Sequence, residues 1–187
     1  MLDEGDSREV TRFLRAVDVR IDGFRVERAP EWRGQRVFVR HEVGGKAYEL
    51  RLSEESAGTQ KLMGLAAYLM TALERGGTVV VDELDAKLHP KLLRFVILLF
   101  KDPEVNKSGA QLIFSSQDVS TMRNDVFRRD EIWFAARGEG EASQLWSLAD
   151  IHEANGNLVS KNAAFDKQYL SGRYGADPYL TRIEEWD

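Results

Sequence analysis

A run of β-branched residues, Thr78-Val79-Val80-Val81, ends in two adjacent carboxylates, Asp82 and Glu83, and no other stretch limits the fold so tightly. Such a run predicts a strand buried on both faces, the habit of parallel sheets. An amphipathic stretch precedes it. Leu62, Met63, Leu65, Ala66, Leu69, Met70 and Leu73 fall at helical spacing between Ser56 and the stop signal Gly76-Gly77. Pro90 suits a first helical position and opens a helix expected to end near Phe100 or Lys101. Residues 111–114 read as a second buried strand, 131–134 as a third and 144–148 as an edge strand. This alternation from about Ser56 onward predicts a parallel sheet with crossover helices.

The opening third has a different rhythm. Val10, Phe13 and Leu14 share one face of a short helix over residues 8–16, and residues 17–26 read as a strand. Residues 29–34, with Pro30 and Gly34, form a turn. Val37-Phe38-Val39 and Tyr48-Glu49-Leu50 read as strands joined through Gly44-Gly45, which is hairpin logic. Residues 154–164 are polar loop. The expected organisation is one α/β domain over residues 1–187. It has a frayed segment at 1–10, an antiparallel β-rich portion at 11–50 and an α/β portion at 51–187.

Composition removes several function classes. A length of 187 residues suits one domain with a sizeable core. The formal net charge of -5 gives no global attraction to nucleic acid or anionic membrane, although a local basic patch stays open. The absence of cysteine removes disulfides, thiolate metal sites and cysteine nucleophiles. The acidic N-terminus is not a secretory leader, and the longest apolar run, residues 95–100, is too short to span a bilayer. These points fit a reducing cytoplasm, which is the expected location. His41, His89 and His152 lack metal-ligand spacing, and no Gly-x-Ser-x-Gly elbow occurs.

Three places carry candidate chemistry. Carboxylates at the C-terminal end of a strand lie where open α/β sheets bind ligands. Asp82 and Glu83 could divide labour there, one holding Mg²⁺ through water and the other positioning or deprotonating a water. Two solvated acids would give the same pattern. Ser56-Ala57-Gly58-Thr59-Gln60 places small residues at a helix start, whose N–H groups suit phosphate; an ordinary N-cap by Ser56 is the plainer reading. Residues 114–118, Phe-Ser-Ser-Gln-Asp, end the second buried strand, with a helix cap as the plainer reading.

Taken in order, these features resemble the ATP-binding heads of ABC-class ATPases, and most closely the AAA15/AAA21-type proteins related to the overcoming-lysogenisation-defect ATPases. Residues 55–60 look like the signature motif, 79–83 like Walker B, 84–89 like the D-loop segment and 114–118 like the switch loop. Val81 to Pro90, residues 128–134 and residues 169–178 are similar to strings typical of that group. The resemblance covers roughly residues 10–180. It implies an ABC-ATPase-like P-loop half-domain, mainly a parallel sheet, working with ATP and Mg²⁺. It also implies roles by position. Asp82 would orient Mg²⁺, and Glu83 would be the catalytic carboxylate. Ser56, Ala57, Gly58, Thr59 and Gln60 would contact the γ-phosphate of ATP held by a partner head. Asp85 and His89 would lie at the dimer interface, and Gln117 would take the switch position.

The sequence departs from the family pattern in three ways. A phosphate loop needs GxxxxGK followed by Ser or Thr. The one Gly-Lys pair is Gly45-Lys46, with Arg40 in place of the first glycine and Ala47 in place of the hydroxyl residue. There is no Walker A motif, so the chain is expected to begin after the lobe that carries it. A truncated gene, an expressed fragment and half of a split enzyme all fit. Gln117 stands where histidine is usual and cannot relay a proton as histidine does. Ala57 replaces a common serine.

Two main readings follow. One is an ATPase half that needs a Walker A-containing chain or lobe. The other is a degenerate, non-catalytic head serving as an interaction or regulatory module. A DNA-binding SMC-like head fragment is a third, which the acidic balance does not support. The resemblance also implies phage defence with a toxin or nuclease partner. No acidic cluster of a nuclease follows Asp118. Sheet edges left open by the missing lobe predict a homodimer or pairing with another chain.

Overall fold

The computed structural model describes residues 4–17, 21–28, 35–137 and 142–176. The turn expected at 29–34, residues 18–20 of the first expected strand and the ends of the chain lie outside these. The chain divides into two compact units, Met1–Gln117 and Asp118–Asp187. The residues given site roles in the preceding section fall in the first, and Asp118, the end of the 114–118 segment, opens the second.

In the first unit, α1 (Glu4–Ala16) buries Val10, Phe13 and Leu14. It starts earlier than the periodicity from Arg8 implied, because a helix nucleated on that buried face gains one bond for each residue added. The Phe13 ring lies 6.4 Å from that of Phe95. Three antiparallel strands follow, β1 (Gly23–Arg28), β2 (Gln35–Val43) and β3 (Lys46–Arg51), in the order β1-β2-β3. Gly44 and Gly45, with φ of 58° and 75°, make the two-residue hairpin turn. Alternation separates the faces. Val39 is fully buried on one, while Arg25 stacks on Phe38 at 4.2 Å on the other and pairs with Glu49 at 2.8 Å.

Helix α2 (Ala57–Arg75) has Ser56 as N-cap, its hydroxyl accepting from the Thr59 N–H at 3.1 Å. It ends where the Gly76 N–H reaches the Ala72 carbonyl at 2.8 Å. Leu62, Met63, Ala66, Leu69, Ala72 and Leu73 form its buried stripe. Strand β4 (Thr78–Val81) then pairs in parallel with β5 (Gln111–Phe114), and α3 (Pro90–Lys101) is the crossover between them. Ala72, Leu73 and Ala110 form a small core against Val79, Leu99 and Phe100.

Two expectations need correction. The valine strand is not buried on both faces: Val80 is 73% exposed and Ile113, its register partner, 57%. Among the described residues these two strands form a sheet of their own, and residues of α2 and α3 pack together with Val79. Nor does residue 131 begin a third strand of the parallel sheet. Arg129–Glu131 form a short helical turn, closed by the Arg128 N–H on the Glu131 carboxylate at 2.7 Å. Strand β6 (Trp133–Arg137) pairs antiparallel with β7 (Ser143–Ser147). The reason lies in the connections. A parallel return needs a long crossover, usually a helix, whereas the short link between β6 and β7 suits antiparallel pairing.

That ribbon belongs to the second unit. Its core gathers Ile132, Phe134, Leu148, Val159, Phe165 and Tyr174. Phe134 stacks on Tyr169 at 5.7 Å and tilts against Tyr174 at 5.3 Å, so the aromatic residues of the 169–178 string close this core beside α4 (Phe165–Leu170). Burial pushes the Tyr174 phenol up to about 12, and the phenol donates to the Gln168 side chain at 2.7 Å. A folded pKa above the ordinary 10.0 favours the neutral form in the fold. Its stabilising contribution is complete below about pH 10 and disappears as pH rises through about 12. Absorbance titration at the tyrosinate band should show one component near pH 12 that is missing in Tyr174→Phe.

Candidate functional site

The site grows from the register of β4 on β5. Val81 pairs with Phe114, so the next residues, Asp82 and Ser115, emerge side by side. The Ser115 N–H donates to the Val81 carbonyl at 3.1 Å, and the Leu84 N–H donates to the Ser115 carbonyl at 3.0 Å. The Ser115 hydroxyl serves both acids. It donates to Asp82 Oδ1 and accepts from the Glu83 N–H at 2.7 Å. Glu83 adopts a left-handed backbone with φ of 49°, uncommon for a non-glycine residue. The Glu83 carbonyl accepts from Ala86 N–H at 3.0 Å and from the Lys61 ammonium. Both carboxylates are exposed.

The entrance of α2 lies against the loop that follows these acids. A Cβ at Gly58 would stand 2.9 Å from the Lys87 carbonyl oxygen, closer than a side chain tolerates, so only glycine lets the two backbones meet here. Thr59 is buried and its hydroxyl lies 2.8 Å from that of Ser56. The Gln60 amide donates to the Glu55 carbonyl at 2.8 Å, and Glu55 Oε1 meets His41 Nε2 at 2.6 Å. Ser56, Ala57 and Gln60 are exposed. The N–H groups of Ala57 and Gly58 precede the first intrahelical bond, Gln60 N–H to Ser56 carbonyl at 2.9 Å, and such groups suit anions.

The remaining candidates have local partners. One oxygen of Asp85 accepts from the Gln117 N–H at 3.3 Å, and the other is buried without a partner among the described residues. Asp85 thus touches the chain's own 115–117 loop. His89 caps α3, its Nδ1 accepting from the Lys91 N–H at 3.1 Å, with Pro90 at the first helical position as the sequence implies. Lys61 had no assigned role in the sequence, and Ser115 entered only as part of the 114–118 segment. Ser115 could have been found by extending a parallel register one pair beyond Val81, and Lys61 by counting one turn into α2.

The donor set can be tested against Mg²⁺. Among the described residues no three His, Cys, Asp or Glu side chains converge into a metal cluster. Asp82 is one exposed carboxylate with one oxygen held by Ser115. That fits Mg²⁺, which keeps several waters and takes one or two carboxylates together with substrate phosphates. Asp82 would hold it, and the ion would supply charge neutralisation at phosphate oxygens. Glu83 can accept a proton or orient a water beside it.

Two glycines of α2 give opposite predictions. Gly64 has open space around its Cβ position, whereas Gly58 meets the Lys87 carbonyl oxygen. Gly64→Ala should raise stability by about 0.5–1 kcal/mol through helix propensity, read as a higher urea midpoint. Gly58→Ala should lower the midpoint despite the same propensity gain, because two backbones must separate.

Comparison with known proteins bears on the family and the fold. The family profile AAA_21, described as "AAA domain, putative AbiEii toxin, Type IV TA system", matches residues 2–123. Among 19 matching solved chains, one comes from work on the ATP-driven dimerisation and DNA-stimulated activation of SMC ATPases. It is 16% identical, with 77% of this chain and 83% of that one covered and a TM-score of 0.53. At that identity the likeness shows the fold, an ATPase-like α/β fold with parallel and antiparallel parts. No curated protein matches. The profile spans more than half of the sequence and includes both the α2 entrance and the acids, and the chain belongs to the AAA_21 family of AAA-type ATPase domains.

Proposed function

We propose that this chain is the signature- and Walker B-bearing half of an ABC-type ATPase head, and that it binds and hydrolyses ATP between two heads. The observation that carries this reading is the close approach of Gly58 to the Lys87 carbonyl. It places a helix entrance suited to phosphate beside a loop that begins with two acids. In the proposed closed pair, Asp82 and Glu83 face one nucleotide, and Ser56 to Gln60 face the γ-phosphate of the nucleotide on the partner head. Asp82 orients Mg²⁺. Glu83 positions and deprotonates the attacking water. Gln117 donates a hydrogen bond toward phosphate from the switch position, and the N–H of that same residue is tethered to Asp85. His89, as the exposed cap of α3, and Asp85 border the partner's site.

The sequence has no GxxxxGK followed by Ser or Thr, so the phosphate cradle comes from another lobe or chain. The exposed pair Val80 and Ile113 supports this: one face of a parallel two-stranded sheet is left uncovered, and such sheets are normally covered on both faces. The dimerising SMC ATPase among the structural neighbours supports pairing with another head. Closure on ATP and reopening after hydrolysis would act as a switch, and a toxin or nuclease partner in phage defence is consistent with the toxin–antitoxin description of the family. Among the described residues no helix is long and apolar enough to cross a membrane. The second reading, a non-catalytic interaction module, is favoured by Gln117, since glutamine cannot relay a proton.

Phosphate release after mixing the chain with a Walker A-containing lobe separates these readings. Turnover is expected, and Glu83→Gln should lower kcat by about 100-fold or more. An unchanged rate in that variant refutes the role of Glu83, and a wild-type mixture without turnover favours the module. Light scattering of the purified chain at high concentration should show a dimer, dissociated by Val80→Asp. A monomer would count against the covered-face argument.

A further inference from the structure

We infer that Ser115 and Lys61 are positioning residues that clamp the Glu83 peptide from its two sides. The inference rests on the reading of Glu83 as the catalytic carboxylate and extends it to two residues that were given no individual role. The Glu83 N–H donates to the Ser115 hydroxyl at 2.7 Å, while that hydroxyl spends its single proton on Asp82 Oδ1. The inventory of a serine hydroxyl, one donor and two acceptor sites, is used in a consistent direction at both contacts. On the other side, the Lys61 ammonium donates to the Glu83 carbonyl, with the Ala86 N–H as second donor at 3.0 Å. Between these contacts the backbone sits at φ of 49°, a conformation that persists where its surroundings over-determine it.

The two clamping residues come from different elements. Ser115 stands just past β5, in the segment that leads to Gln117. Lys61 lies one helical turn inside α2, on the helix whose entrance is proposed to meet the partner's nucleotide. Glu83 is therefore set by the switch strand through its N–H and by the signature helix through its carbonyl. A small shift of α2 on phosphate binding would move Lys61 and with it the carbonyl of Glu83. Occupancy of the partner's nucleotide would thus reach this chain's own acid through α2 and Lys61. The Ser115 hydroxyl bonds both the Asp82 carboxylate and the Glu83 N–H, and so ties the orientation of the first to the backbone of the second.

Amide exchange and carbonyl chemical shifts in the chain as it stands test the clamp without any turnover. In Ser115→Ala the Glu83 amide should exchange about tenfold faster, the loss of one hydrogen bond, while the Leu84 amide, bonded to the Ser115 carbonyl, keeps its protection. Ser115→Thr retains the hydroxyl and should restore slow exchange. In Lys61→Met the Glu83 carbonyl resonance should move, and Lys61→Arg should hold it. Equal acceleration at Glu83 and Leu84, or no change at either, overturns the Ser115 side. An unmoved carbonyl in Lys61→Met overturns the Lys61 side. With the Walker A lobe added, both disruptive variants should lower kcat at unchanged KM. Turnover at the wild-type rate in both would show that the clamp does not position the acid. A wild-type mixture that fails to turn over sinks the hydrolytic reading alone, and exchange still decides whether the clamp exists.

Discussion

Four residue pairs join β4 to β5 in parallel, and the last of them, Val81 with Phe114, delivers Asp82 and Ser115 to the same sheet end. The rest of the candidate site follows from that pairing. A slip of one residue would turn every side chain of β4 to the opposite face. Val79 would leave the cluster of Ala72, Leu73 and Ala110 against which it packs, and Ser115 would lose its contacts with both acids. Packing of Val79 and placement of the acids are thus fixed by one register. The helices that bury Val79 are also the two that border the site, α2 through Gly58 and α3 through its cap His89.

The conformation of Glu83 adds a second constraint. A left-handed backbone at a non-glycine residue costs on the order of 1–3 kcal/mol, and the chain repeats the device at Lys87, with φ of 65°. The two positions enclose a short loop in which Ala86 N–H returns to Glu83 at 3.0 Å and Leu88 N–H to Asp85 at 2.9 Å. Between them the chain turns back so that the Lys87 carbonyl faces Gly58. Without that reversal, the segment after the acids would run away from α2. The backbone cost is coupled directly to the meeting of the two candidate elements, which is why a β-branched residue at Glu83 or Lys87 would be poorly accommodated.

How much of this could be read from the sequence depended on the range of the interaction concerned. The bounds of α2 are legible because Ser56 and Gly76 cap it locally, and Pro90 marks α3 for the same reason. The Gly44-Gly45 hairpin is equally local. The valine run announced a strand, yet it could not say how many neighbours that strand has, so Val80 was expected to be buried and is not. The apolar residues Ile132 to Phe134 likewise report burial and are silent on partnership; their antiparallel ribbon is set by a short connection, not by composition. The acids were found at once because they end a strand. Ser115 and Lys61 were missed because their bonds join residues 22 to 33 positions apart, a distance over which no periodicity carries information.

The open face of β4 and β5 links the fold to the proposed chemistry. An uncovered pair such as Val80 and Ile113 is unusual in the middle of a parallel sheet, since each crossover normally leaves a helix on one side or the other. Among the described residues the crossover helix α3 and the preceding helix α2 both contribute to the same small core as Val79, and Val80 and Ile113 on the opposite face stay exposed. The 187 residues contain no GxxxxGK followed by Ser or Thr, the loop that cradles a nucleoside triphosphate. Two deficits, one of apolar cover and one of phosphate-binding backbone, would be met together by a single added lobe. Asp82 directly follows the strand that carries the exposed Val80, so the open apolar face and the first acid are two residues apart.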